Sequence, residues 1–258
     1  MIFIRLLFFF AFIMAVSTSS LAQIDKYRNQ FVWSLDSAVV YAKPDMESKI
    51  KFKVRYGNQV RQLEVLDSLT TAPAFEIDDS FQGATPSARW IKVEYKSEKG
   101  YVKSDQLGVL PPFYRTDYGV ESTEEYFKRI FRKIDEVEKK VPVNINGKIF
   151  EASVDSIQFG NGIYKTERWF DGCVDYEYKV VGLDFYQALN IAYMTSYTES
   201  MVNTGPPGKP DIKRHGYGIR LMSKEGNIYY FDGAFSAQEV YLKQIDETEY
   251  IFGHYYCV

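Results

Sequence analysis

The stretch RWIKVEYKSEKGYVKSDQL, residues 89–107, limits the fold of this chain more than any other. Its side chains alternate. Trp90, Lys92 and Glu94 fall on one side, and Ile91, Val93 and Tyr95 on the other. A period of two belongs to a strand with one apolar face. The turn KSEKG has the length, and the glycine, of a short hairpin loop. Shorter runs of the same kind precede it: SAVVYA, KIKFKVRYGN and QVRQLEVLD, parted by turn residues such as KPDMES. A looser segment, 67–88, links them to the hairpin. Loops of that length are uncommon in compact domains, and this one is a candidate to fold over the module and block its groove. Aromatic residues make up 17% of the chain, mostly Tyr and Phe, and these side chains suit half-buried pleated surfaces.

In order, VVYAKPDMESKI, YGNQVRQLEV and RWIKVEYKSEKGYVKSDQL resemble a bacterial SH3-like domain, covering residues 37–110. In that family an opening strand enters a Pro-containing turn, and a hairpin follows. A W-x-K-V strand and a G-Y/W-V strand then close the barrel. Trp90-Ile91-Lys92-Val93 and Gly100-Tyr101-Val102 match that closing signature. The family's usual Leu-Asn-Val-Arg is replaced by Val39-Val40-Tyr41-Ala42. The resemblance implies a small β-barrel used for targeting, in some members to cell-wall peptide. It makes Tyr41, Trp90, Tyr95 and Tyr101 a candidate stacking surface for a ligand. From the residues alone, the same four rings equally suit core and rim packing.

Leu110-Pro111-Pro112 restricts the backbone and breaks strand pairing, so 111–121 reads as a linker. STEEYFKRIFRKIDEVEKKV, 122–141, reads as a helix. Ser122 and Glu125 form a capping box, and Phe127, Ile130, Phe131, Ile134, Val137 and Val141 recur at helical spacing. Beyond Pro142, NGKIFEASVDSIQFG, GIYKTERWF and CVDYEYKVVG alternate as strands. LDFYQALNIAYMTSYTES reads as a second helix capped by Asp184. TGPPGKPD, 204–211, is a loop. Two hairpins close the chain, one around Lys224-Glu225-Gly226 and one around Asp246-Glu247. Residues 122–258 therefore form an α+β domain that resembles no particular family. The expected fold class is mainly β: an SH3-like β-barrel, then an antiparallel sheet domain with one or two helices.

The first residues carry Arg5, an apolar run from Leu6 to Val16, and small residues ending at Ala22. This is the pattern of a signal peptide, 1–22, cleaved before Gln23. The apolar run falls well short of the roughly 20 residues a membrane span needs. No Cys lies near the cut to carry a lipid, so a periplasmic or secreted protein is expected, not a lipoprotein, with no stable membrane span after cleavage. Losing Arg5 leaves one fewer than 31 Lys and Arg against 34 Asp and Glu. That balance argues against nucleic acid, which calls for a basic footprint. The expected partner is peptidoglycan peptide or an envelope protein.

The chain has two cysteines, Cys173 and Cys257. In an oxidising compartment they are a candidate disulfide. The competing reading makes Cys173 a nucleophile with His215 and Asn227, as in the cell-wall cysteine peptidases often joined to SH3-like domains. Such a thiol needs activation, usually at a helix N-terminus, yet DGCVDYEYKVVG reads as a strand. A third reading has the aromatic C-terminal sheet enclosing a small apolar ligand. His215 and His254 are far apart with no clustered ligand pattern, so no metal and no cofactor are expected. The chain reads as a non-enzymatic binding or scaffolding protein.

Overall fold

The structure is a computed structural model. It describes residues 29–70, 76–82, 86–116, 119–145, 147–170, 172–202, 220–232 and 239–257. The expected leader 1–22, the expected loop 204–211 and His215 lie outside the described residues.

The first sheet is built from β1 (Asn29–Val32), β2 (Ser37–Tyr41), β3 (Ile50–Arg55) and β4 (Gln59–Thr70), with a strand from the second sheet, β5 (Glu76–Gln82), interposed in the chain. It continues with β6 (Ala88–Tyr95), β7 (Glu98–Lys103), a 3-10 turn (Ser104–Gln106) and β8 (Leu107–Gly108). The strand order is β3-β2-β7-β6-β4-β1-β8. Alternation selects the inner face: Val32, Ala38, Val40, Val54, Val60, Ile91, Val93, Val102 and Leu107 form one buried cluster, flanked by Phe52 and Tyr95. Val54 on one edge strand and Leu107 on the other belong to that single cluster, so the sheet curls round it.

The β6–β7 hairpin turns more tightly than its sequence suggests. Tyr95 pairs with Glu98, so the loop is Lys96-Ser97 alone, both at positive φ (50° and 68°). A two-residue loop with both φ positive follows the right-handed twist of the strands. Gly100 lies inside β7 instead of in the turn. A Cβ there would stand 2.5 Å from Val40 Cγ1 and 2.7 Å from the Tyr41 carbonyl oxygen. The glycine of the Gly-Tyr-Val signature is what lets β7 close against β2.

The rest of the chain supplies a short hairpin, β9 (Arg115–Thr116) and β10 (Gly119–Val120), then α1 (Thr123–Ile130). A second sheet follows: β11 (Lys133–Ile145), β12 (Lys148–Phe159), β13 (Ile163–Phe170) and β14 (Cys173–Val181). Helix α2 (Phe185–Val202) comes next, then β15 (Arg220–Glu225), β16 (Ile228–Asp232), β17 (Glu239–Gln244) and β18 (Glu249–Cys257). This sheet has nine strands in the order β11-β12-β13-β14-β18-β17-β16-β15-β5. All its pairs are antiparallel except β15 with β5. Part of the 67–88 segment is thus a strand of the second sheet, reached after β4 runs on to Thr70. Among the described residues the molecule is mainly β with two helices, as the alternation predicts.

Both helix starts follow their capping signals. Ser122 Oγ accepts from the Glu125 backbone N–H, and the Glu125 carboxylate accepts from the Ser122 N–H. Asp184 Oδ1 accepts from the Gln187 N–H at 2.8 Å. The expected helix over 122–141 is corrected at its C-terminal end. It stops at Ile130, and residues 133–145 are a strand paired along its length with β12. Ile134, Val137, Val141 and Pro142 explain the switch. Branched side chains favour a pleated strand, and proline is excluded from a helix interior but tolerated on an edge strand.

The two halves share a core. Trp33, from the end of β1, lies in the second cluster with Phe113, Tyr126, Phe127, Phe159, Tyr178 and Phe252. Its indole N–H donates to the Leu110 carbonyl (2.9 Å), and the Leu110 N–H donates to Gln187 Oε1 of α2 (3.0 Å). Within 111–121, Pro112 and Phe113 are buried. Phe113 stacks on Tyr126 with centroids 4.1 Å apart, and the Tyr126 hydroxyl donates to the Pro111 carbonyl. The rings that sequence offered as a cavity lining pack on one another, with Tyr178 and Phe252 stacked at 5.2 Å.

Candidate functional site

The outer face of the first sheet assembles charge and aromatic surface in cross-strand rows. Arg61 on β4 pairs with Glu94 on β6, which pairs with Lys99 on β7. Next to it, Glu64 pairs with Lys92, Lys92 with Tyr101, and Tyr101 with Tyr41 on β2. Directly opposed residues share one face of a sheet and lie within side-chain reach. Leu63 is the extra residue of a bulge between Gln62 and Glu64. Such a bulge bends its strand and re-aims its neighbours, and here it brings Arg61 and Glu64 onto one side. Arg61, Leu63, Glu64, Lys92 and Lys99 line an open groove of about 450 Å³.

The charges in the groove are unequally used. Glu94 accepts from Arg61 at 2.8 Å and lies 3.9 Å from Lys99. Lys92 sits over the Tyr101 ring, 5.8 Å from its centroid. Among the described residues, neither Lys92 nor Glu64 makes an ion pair, although their Cα atoms are register partners.

The four expected ligand rings divide. Tyr41 and Tyr101 stand together beside the groove, each partly exposed. Trp90 lies on the same face but is only 3% exposed, its ring edge-on to Tyr41 at 5.6 Å. It is packed structure and presents little surface to a ligand. Tyr95 points to the inner face and stacks on Phe52, so it is removed from the ligand face. Alternation already separated Tyr95 from Trp90. Lys92 and Glu94 carried the same signal, being in phase with Trp90. Arg61 and Glu64 could not be found this way, because only register and the bulge bring them across.

A second polar cluster lies between α1 and the second sheet. Lys165 is 6% exposed, and its ammonium donates to Glu124 on α1 (2.5 Å) and to Glu167 (2.7 Å). Burial works against its charge, but the two carboxylates outweigh it and raise its pKa. Tyr176 beside it stacks on His254, centroids 4.9 Å apart. Burial lowers the His254 pKa to about 4, with Glu167 opposing weakly. This arrangement pins α1 to the sheet, with Lys165 neutralised on both sides.

Cys173 and Cys257 are Cα partners in the β14–β18 register, and no described cysteine is free. Asn227 sits in the β15–β16 turn, its amide donating to the Gln244 carbonyl. Three strands and the length of β14 separate it from Cys173, on the order of 25 Å at ordinary strand spacing and rise. Asn227 therefore cannot orient an imidazole at Cys173.

No protein-family model matches the chain, and no curated protein and no solved structure matches it. Among the described residues, no helix is long and apolar enough to cross a membrane.

Proposed function

We propose that this is an exported, non-enzymatic binding or scaffolding protein of the bacterial cell envelope. Its first module is a bacterial SH3-like barrel whose outer face recognises cell-wall peptide. The observation that carries the reading is the pair of rows Arg61–Glu94–Lys99 and Glu64–Lys92–Tyr101–Tyr41. They set an aromatic ledge beside an open groove holding both signs of charge, which suits a polar peptide of mixed charge better than an apolar or polyanionic ligand.

Export is supported by the leader-like pattern of residues 1–22 and by the cysteines. Opposed residues of an antiparallel pair have Cα atoms about 4.5–5.5 Å apart, within the span a disulfide bridges. A Cys173–Cys257 disulfide is part of this reading. Alkylation of the unfolded, unreduced protein should leave its mass unmodified; uptake of two alkyl groups refutes the bridge.

The functional test is cosedimentation of the full-length protein with intact peptidoglycan, beside Lys92→Met and Tyr101→Ala. Both positions are partly exposed, so both variants should fold, whereas Trp90→Ala would empty a packed site. Binding by the wild type that both variants weaken supports the proposal. Absence of wild-type binding refutes it.

A further inference from the structure

The groove distinguishes its two charged rows, and that difference points to the chemistry of the ligand. In the first row Glu94 lies between two cations, so Arg61 and Lys99 both face an internal counter-charge. In the second row Lys92 has only the Tyr101 ring beneath it, and Glu64 has no cation within ion-pair distance among the described residues. Both are held by strand register on the same side of the sheet, across one strand gap. Glu64 and Lys92 are direct register partners just past the Leu63 bulge, yet they form no ion pair with each other. The groove thus offers one donor cation and one acceptor carboxylate, each with its charge unmatched by the other.

We infer that the groove takes a short peptide segment bearing both a free carboxylate and a free amine, the carboxylate on Lys92 and the amine on Glu64, with Tyr101 and Tyr41 flanking the carboxylate end. The assignment rests on the proposed peptide-binding role and specifies its ligand. The geometry favours a zwitterion over an anion because an anion would meet Glu64 and Glu94 as well as Lys92. It favours a zwitterion over a cation because Arg61, Lys92 and Lys99 line the same cavity. The groove's volume, about 450 Å³, has room for a short peptide segment.

The test uses the full-length protein and three probes: alanyl-alanine with both ends free, its N-acetyl form and its C-terminal amide. Binding is followed by NMR titration. The uncapped dipeptide should bind the wild type, and each cap should weaken it about tenfold, the effect of one charge-assisted hydrogen bond. Lys92→Met should weaken the free dipeptide and the acetyl form alike while leaving the amide unchanged. Glu64→Gln should do the converse, leaving the acetyl form unchanged. Equal binding of all three probes, or no response to either substitution, or no binding of the free dipeptide, overturns the assignment. If peptidoglycan still sediments the protein in a Tyr101-dependent way, the wall-binding role survives and only the zwitterion assignment falls. If peptidoglycan does not bind, the role itself falls.

Discussion

Lys96 and Ser97 hold the tip of the β6–β7 hairpin in a conformation that neither favours, with φ of 50° and 68°. An L-residue in the left-handed region costs roughly 1–2 kcal/mol, and Asn and Gly bear it best. The double substitution Lys96→Asn, Ser97→Gly should therefore stabilise the protein by about 1 kcal/mol, read as a higher midpoint in urea with an unchanged slope. A loss of stability would mean the turn is held by contacts of the two native side chains. His254 is 2% exposed and stacked on Tyr176. Its pKa falls from 6.5 to about 4 on folding, so between these values the unfolded chain binds the proton more readily. Stability is full above pH 6.5 and declines as the pH drops toward 4, by roughly 3 kcal/mol from this group. Glu167, Lys165 and Tyr176 face or neighbour it. His254→Phe keeps a ring against Tyr176 and should flatten stability against pH in that window; an unchanged slope would place the acid sensitivity elsewhere.

The β11–β12 arm shows how elements were decided. Glu138, Asp155 and Glu167 are successive register partners on β11, β12 and β13, three carboxylates in one row. Burial, then Glu138 and Glu167, raises the Asp155 pKa; only Glu167 has Lys165 to neutralise it. A carboxylate whose pKa rises on folding favours the fold when protonated and opposes it when ionised. Asp155→Asn should thus stabilise the protein at pH 7 by about 0.5 kcal/mol, the scale of one cross-strand charge pair. The gain should vanish in acid, where Asp155 is protonated in both states. Equal effects at both pH values would contradict this account. The same arm marks what sequence could disclose. The capping box at Ser122 and the alternation in β2, β6, β12, β13 and β14 are local signals, and they were legible. The end of α1 was not, because Phe127, Ile130, Ile134, Val137 and Val141 suit a helix, while Val137, Val141, Val143 and Ile145 suit a strand. The availability of β12 as a partner decided between them. The groove was legible in half, through Trp90, Lys92 and Glu94 in phase. Its Arg61 and Glu64 wall rests on long-range register and a one-residue bulge, which no local pattern encodes.

For the whole molecule, the shared core matters most. The sequence reads as two modules and a linker, yet Trp33 of the first half lies among the aromatic rings of the second. Asn190 of α2 also donates to the Asp105 carbonyl in the turn after β7. The β5 strand crosses to the second sheet's edge. Urea unfolding should then be one transition, with far-UV circular dichroism and tryptophan fluorescence superimposed, because Trp33, Trp90 and Trp169 report on the shared core and both sheets. Trp33→Ala should cost about 3–5 kcal/mol and lower the whole transition at once; two separated transitions would contradict a common core. Such a rigid body presents the outer face of the first sheet as a fixed surface, with Tyr41, Lys92 and Tyr101 held by strands and not by loops. The most direct measurement is solution NMR of the full-length protein titrated with solubilised peptidoglycan fragments. The account predicts amide shifts confined to β4, β6, β7 and the end of β2. Shifts centred on the nine-stranded sheet, or none at all, would contradict it.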